Sequence, residues 1–195
     1  MNKDDYEVAR NMVLTRRCIS DLCAGWLISL AVLAPLALVR ALLRMQGYAF
    51  HWLNSAFDWV SFVFIVFLLL WLALYGYGAI GGLFACSFQT HELRKGLLPP
   101  LPGKSDSSRG AELMAKRKRA RSWLKQSFVA NYGRLGYVII VRLPTYVEEE
   151  ENLNANLDKI ANRLASSANM KYGTWEPLIV GHFSPKFYKF VILRK

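Results

Sequence analysis

The sequence predicts a membrane α-helical hairpin of two transmembrane helices, followed by a small cytoplasmic α+β domain of β-α-β-β order. Three observations carry that prediction. Two long stretches lack any charge, 18 residues from Leu22 to Val39 and 30 from Trp59 to Phe88. Positive charge gathers in the second half: Gln89 to Lys195 holds 19 Lys/Arg against 9 Asp/Glu, within a net charge of +11 for the whole chain. The last third carries β-branched runs on either side of one stretch with helical periodicity. The order implied is a cytoplasmic N-terminal segment (1–20), a two-helix transmembrane region (21–95) with a short external loop (44–58), a linker (96–110) and a basic α+β domain (111–195).

The first span runs from about Asp21 to Leu43. Eighteen helical residues cover about 27 Å, against a hydrocarbon core of about 30 Å. Pro35 lies inside this span, and membrane helices tolerate such a residue where neighbouring groups satisfy the freed carbonyl, so a kink is expected there. The preceding 20 residues include Asp4, Asp5 and Glu7, and Arg40 and Arg44 follow the apolar run without a small-residue cleavage site. A retained helix fits this pattern better than a cleaved signal.

The second span starts near Asp58 and reads WVSFVFIVFLLLWLALYGYGAIGGLFACSF. As one helix it would be about 45 Å long, more than a bilayer needs. It must therefore tilt, kink or continue beyond the membrane, and its glycine-rich part is the natural place for a break. Neither span has a polar face, and a chain of this length has too little other protein to bury two such helices.

Charge bias sets the orientation. Lys3, Arg10, Arg16 and Arg17 precede the first span, ten Lys/Arg lie between Gln89 and Lys125, and only Arg40 and Arg44 lie in the intervening loop. The positive-inside rule then places both termini in the cytoplasm, with a cell inner membrane as the compact setting. Tyr48, Trp52 and Trp59 fit an aromatic belt at the outer interface.

Gly76-Tyr77-Gly78-Ala79-Ile80-Gly81 matches GxGxxG, yet a dinucleotide fingerprint needs a strand-to-helix turn within a βαβ unit. Here the glycines follow a membrane span, so the match is accidental. Gly78, Gly82 and Cys86 recur every four residues, and Gly25 and Ser29 form a shorter counterpart. Small residues at this spacing let helix backbones approach in lipid, either within the hairpin or against a partner, a second copy included. Cys18, Cys23 and Cys86 show no CxxC spacing and read as small buried residues.

The segment KRKRARSWLK holds Lys116, Arg117, Lys118, Arg119, Arg121 and Lys125, on a helix expected over 108–130 with Leu113, Trp123, Leu124 and Phe128 as its packing residues. Three readings stand side by side: a solvated helix face, contact with anionic membrane lipid, and nucleic-acid binding, which ordinarily interleaves more aromatics than Trp123 alone. The linker LLPPLPGKSDSSRG reads as a spacer, with Pro99 and Pro102 offering a weaker PxxP match.

Tyr137 to Leu143 is a β-branched run ending at Pro144 and predicts a strand. Leu153, Leu157, Ile160, Ala161 and Leu164 give one apolar face to a helix over 148–168, whose opening Glu148 to Glu151 complements the helix dipole. Trp175 to Phe183 and Phe187 to Leu193 read as strands joined by a Ser184-Pro185 turn. His51, His91 and His182 stand apart from one another and from other ligand types, so neither a metal nor a cofactor is expected.

Without a nucleophile, an acid–base pair or a phosphate loop, the expectation is a non-enzymatic, membrane-anchored component that binds another membrane or cytoplasmic protein. Within this class the expectation extends to an immunity, exclusion or assembly factor of a bacterial secretion or conjugation system. The alternatives are a tethered nucleic-acid- or anionic-lipid-binding protein and a small membrane enzyme lacking a recognisable motif.

Overall fold

The computed structural model describes residues 3–48, 50–99, 107–133, 136–181 and 185–195. Linker residues 100–106, with Pro102 of the PxxP match, lie outside that set, as do His182 and Ser184. The chain divides into two units, one of residues 14–80 and one combining residues 1–13 with 81–195.

The first unit is an antiparallel helical hairpin. Helix α1 (Lys3–Met45) continues through Pro35 and contributes all but its first turns here. It ends in a Schellman arrangement: Tyr48 N–H donates to the Leu43 carbonyl at 2.9 Å and Gly47 N–H to that of Arg44 at 3.0 Å. Gly47 has φ +81°, a left-handed conformation that glycine adopts at little cost. Helix α2 (His51–Ile80) returns alongside. The two helices meet through aromatic rings: Trp26 lies 6.5 Å edge-on from Phe64 and 5.9 Å from Trp71, and the Arg40 guanidinium sits 4.6 Å over Phe57.

Both helices are long and apolar enough to cross a membrane, and the most apolar stretch of neither is buried. Leu27, Ile28, Leu38, Phe62, Ile65 and Leu69 all point outward. Such surface is costly in water and neutral in hydrocarbon, which suggests a membrane location.

The second unit is α+β, and its order differs from the expected one. After α2 come α3 (Ser87–Leu97), α4 (Ser107–Leu124), β1 (Phe128–Asn131), β2 (Gly136–Arg142), α5 (Val147–Ser167), β3 (Lys171–Tyr172), β4 (Glu176–Val180) and β5 (Lys186–Arg194). The basic helix therefore stops at Leu124 instead of running to residue 130, and Phe128 belongs to a strand. The physical reason is pairing: Phe128 to Asn131 lie in antiparallel register with Ile140 to Tyr137, which buries Phe128, Val129 and Ala130. The expected β-α-β-β order is thus corrected to β-β-α-β-β-β.

All pairings are antiparallel. The sheet runs β1-β2-β5-β3, with β4 flanking the same edge of β5 as β3. One face carries Val129, Ile139, Val141, Val191 and Leu193, packed with Leu93 of α3 and with Leu153, Leu157, Ala161 and Ala165 of α5. The i, i+4 spacing of those α5 residues makes the buried stripe. Gly96 keeps α3 close to α5, because a Cβ there would lie 3.2 Å from Ile160 Cδ1. The opposite face carries Phe128, Ala130, Val138, Ile140, Tyr188 and Phe190, all buried, as are Ala120 and Leu124 of α4.

The first turns of α1 belong to this unit. The Asp5 carboxylate accepts from Arg194 at 3.0 Å and from the Tyr132 hydroxyl, Tyr6 Oη donates to the Ile179 carbonyl at 3.4 Å, and Ala9 and Val13 are buried. The outer edge of β1 is closed rather than open for pairing. Thr90 Oγ1 accepts from Val129 N–H at 3.0 Å and donates to its carbonyl at 3.3 Å, and Asn131 N–H donates to the Gly82 carbonyl at 3.2 Å. A strand edge satisfied in this way offers no template to another chain.

Candidate functional site: a basic helix and the cleft beside it

The chemically richest part of the second unit lies around the C-terminal end of α4. Of the six basic residues singled out in the sequence, three are engaged. Lys116 pairs with Glu112 at 2.9 Å, Arg117 donates to the Pro99 carbonyl at 3.0 Å, and Arg119 meets Glu149 at 3.3 Å. Lys118, Arg121 and Lys125 are exposed, and their side chains have no ion-pair partner among the described residues. The cluster is therefore divided into a structural half and a solvent-facing half.

Arg119 opens onto a cleft of about 450 Å³, lined also by Trp123, Gln126, Arg142, Tyr146, Glu149 and Lys186. Four elements build it: the end of α4, the end of β2, the entry to α5 and the start of β5. Arg119 lies over the Tyr146 ring at 5.1 Å, and this stacking together with the Glu149 contact fixes its guanidinium. Arg142 donates to Gln126 Oε1, which also accepts from Tyr188 Oη at 3.2 Å. Its backbone N–H donates to the buried Ser127 Oγ at 3.0 Å. Glu149 Oε2 accepts from Trp123 Nε1 at 3.2 Å, whereas Oε1 is buried, in ionic contact with Arg119 but without an aligned donor. Among the described residues lining the cleft, Arg119, Arg142 and Lys186 are cationic and Glu149 is anionic.

The small-residue stripe is broken up by the structure. Gly78 is buried within α2, but that helix ends at Ile80, so Gly82 and Cys86 do not continue its face. Gly82 has φ +74°, and a Cβ there would sit 2.7 Å from Asn131 Cβ. Cys86 is buried in the α+β core beside Leu93, its Sγ 3.3 Å from Asn131 Oδ1. Burial raises its thiol pKa and holds it protonated. These two residues fasten the start of the α+β unit to β1 rather than one membrane helix to another. In the hairpin, Gly25 does allow a close approach: an added Cβ would lie 3.0 Å from the Phe67 ring. Ser29 instead donates back to the Gly25 carbonyl at 2.9 Å within its own helix.

Cys18 is exposed and Cys23 half-buried, so only Cys86 has the buried character expected of all three. Among the described residues no group of His, Cys, Asp and Glu could hold a metal ion. Sequence reasoning missed Arg142, Lys186, Gln126 and Tyr188. Arg142 closes a strand and Lys186 opens one, positions that carry no spacing signal linking them to Arg119. Comparison of the chain with family models, with curated proteins and with solved structures finds no match.

Proposed function

We propose that the chain is a non-enzymatic interaction component anchored in a cell inner membrane, with both termini cytoplasmic and its α+β unit serving as the recognition module. The observation that carries this reading is the tie between the chain's two ends. Asp5, near the start of α1, is held by Arg194, the penultimate residue, at 3.0 Å, while two membrane-length apolar helices lie between them in sequence. Two crossings return the chain to the side it left, and the charge bias of the flanking segments favours the cytoplasm for that side.

The surface chemistry supports recognition. The hairpin presents apolar and aromatic side chains outward, and the α+β unit presents the exposed Lys118, Arg121 and Lys125. Those three cations also support a second reading, electrostatic contact with anionic headgroups at about 1 kcal/mol per charge near the surface. Purification of the tagged full chain from detergent-solubilised membranes tests the leading reading. A stoichiometric protein partner that is lost when Lys118, Arg121 and Lys125 are neutralised is expected; a lone monodisperse protein contradicts it.

A further inference from the structure

We propose that the cleft between the first turn of α1 and strands β3, β4 and β5 is a binding site for a small zwitterion whose positive end is a primary ammonium group. This inference goes beyond the anchoring role and does not rest on it, since every residue involved lies in the α+β unit.

Strand register builds the cleft. β3 and β4 lie along the same edge of β5, with Lys171 opposite Arg194 and Glu176 opposite Phe190. Those two β5 positions are about 13 Å apart along the strand. The turn from Gly173 to Trp175 spans the interval and is fastened at both ends. Gly173 N–H donates to the Ile192 carbonyl at 3.2 Å, and Trp175 Nε1 donates to Asp158 Oδ1 at 3.1 Å. Asp5 of α1 also lines the space, whose volume of about 300 Å³ is at the small end for ligand sites.

Pairing inside the cleft leaves one charge of each sign unmet. Arg194 donates to both Asp5 oxygens, at 3.1 and 3.0 Å, and the Tyr132 hydroxyl donates to the same carboxylate. That couple is neutral and satisfied. Glu176 is different, for its Oε2 is buried with no hydrogen-bond partner. Lys171, exposed on β3, has no ion-pair partner among the described residues.

Glu176 argues for an ammonium that carries its own protons. A buried carboxylate oxygen without a donor is costly, and a primary ammonium supplies both charge and N–H donors. A quaternary ammonium supplies the charge alone. Lys171 argues for an anionic group at the other end, because a simple amine leaves that cation unmet and a simple anion is repelled by Glu176. Phe190, Ile192 and Tyr172 offer apolar contact to the carbon atoms joining the two charges. A metal ion fits poorly, since Asp5 is engaged and no group of ligand side chains gathers among the described residues.

The same chemistry occurs in a free amino acid and in an ethanolamine-phosphate lipid headgroup, and the experiment separates the two. The full chain is purified in a neutral sugar detergent and screened by thermal shift against each standard L-amino acid. The strongest stabiliser is then titrated by calorimetry beside its N-trimethyl derivative. In parallel the chain is placed in nanodiscs mixing phosphatidylethanolamine with phosphatidylcholine, and retained lipid is counted by native mass spectrometry. If the ligand is soluble, the amino acid is expected to bind about tenfold or more tighter than its trimethyl form. If it is a headgroup, phosphatidylethanolamine is expected to be retained in preference to phosphatidylcholine.

In either arm Glu176→Gln is expected to weaken binding about tenfold or more and to erase the preference for the primary ammonium. Lys171→Gln is expected to weaken binding while keeping that preference. Lys118→Gln, outside the cleft, is expected to leave binding unchanged. The proposal is overturned if no amino acid binds and neither lipid is preferred, if trimethylation costs nothing, or if Glu176→Gln binds as well as the parent. Should Glu176→Gln fail to fold, the trimethyl comparison and Lys171→Gln, at an exposed site, decide the matter alone.

Discussion

The hairpin of residues 14–80 is far richer in apolar residues than the α+β unit, and the two units use those residues in opposite ways. In the α+β unit Leu93, Val138, Ile139, Ile140, Val141, Leu178 and Val191 are wholly enclosed, and the sheet has an apolar core on both faces. In the hairpin Ile28, Leu38, Phe62 and Leu69 are 60 % exposed or more, and aromatic rings such as Trp26, Phe64 and Trp71 join the two helices. One unit is stabilised by removing surface from water within itself. The other requires its surroundings to do so.

The sharpest break of this comparison is a pair of truncations. Phe190→Ala, at a residue 2 % exposed in β5, is expected to destabilise the α+β unit by about 3–5 kcal/mol. Leu69→Ala, at a residue 60 % exposed in α2, is expected to move stability by no more than about 0.5 kcal/mol. Denaturant titration of the detergent-solubilised chain reads both. The reciprocal experiment adds charge: Leu69→Arg is expected to cost about 2.5–3.5 kcal/mol of insertion free energy and to deplete the membrane fraction. Were the hairpin surrounded by water, that exposed substitution would change little.

Within the α+β unit a smaller effect is expected at the closed sheet edge. Thr90→Val preserves shape but strands the Val129 N–H, and a loss of about 1–3 kcal/mol is expected by the same titration. The smallest effect concerns the attachment of α1 to the sheet. The hydrogen bond to Asp5, followed by burial, raises the Tyr132 phenol above its ordinary value of 10.0. A raised pKa in the folded state favours the protonated form, so this contribution is fully present below about pH 10 and fades as pH rises past it. Protease accessibility of residues 3–13 is expected to increase in that alkaline range, and Tyr132→Phe is expected to abolish the pH dependence.

Much of the fold was legible because two residue patterns are unambiguous. Charge-free runs of membrane length stand out in any chain, and the strand at residues 137–143 and the helix after it follow from β-branching and from the i, i+4 stripe of Leu153, Leu157 and Ala161. The glycines between Gly76 and Gly82 marked a break, and α2 does end at Ile80. What escaped notice depends on long-range pairing. Phe128 to Asn131 continue the apolar character of Trp123 and Leu124, and only their register with β2 makes them a strand. Gly78, Gly82 and Cys86 share a helical face only if the helix persists, and the positive φ of Gly82 ends that periodicity. The cleft was illegible for the same reason: residues 119, 142 and 186 meet because β2 and β5 are neighbours, a fact of topology with no local trace.

The central claim is that two membrane crossings return the chain to a domain tied to its own beginning. Labelling of single-cysteine variants with an impermeant maleimide, in sealed oriented vesicles and in a background lacking the three native cysteines, tests it directly. Cysteines placed at Lys3 and Lys195 are expected to react from one side of the membrane and one placed at Met45 from the other. Reaction of Met45 and Lys195 positions from the same side would contradict the account.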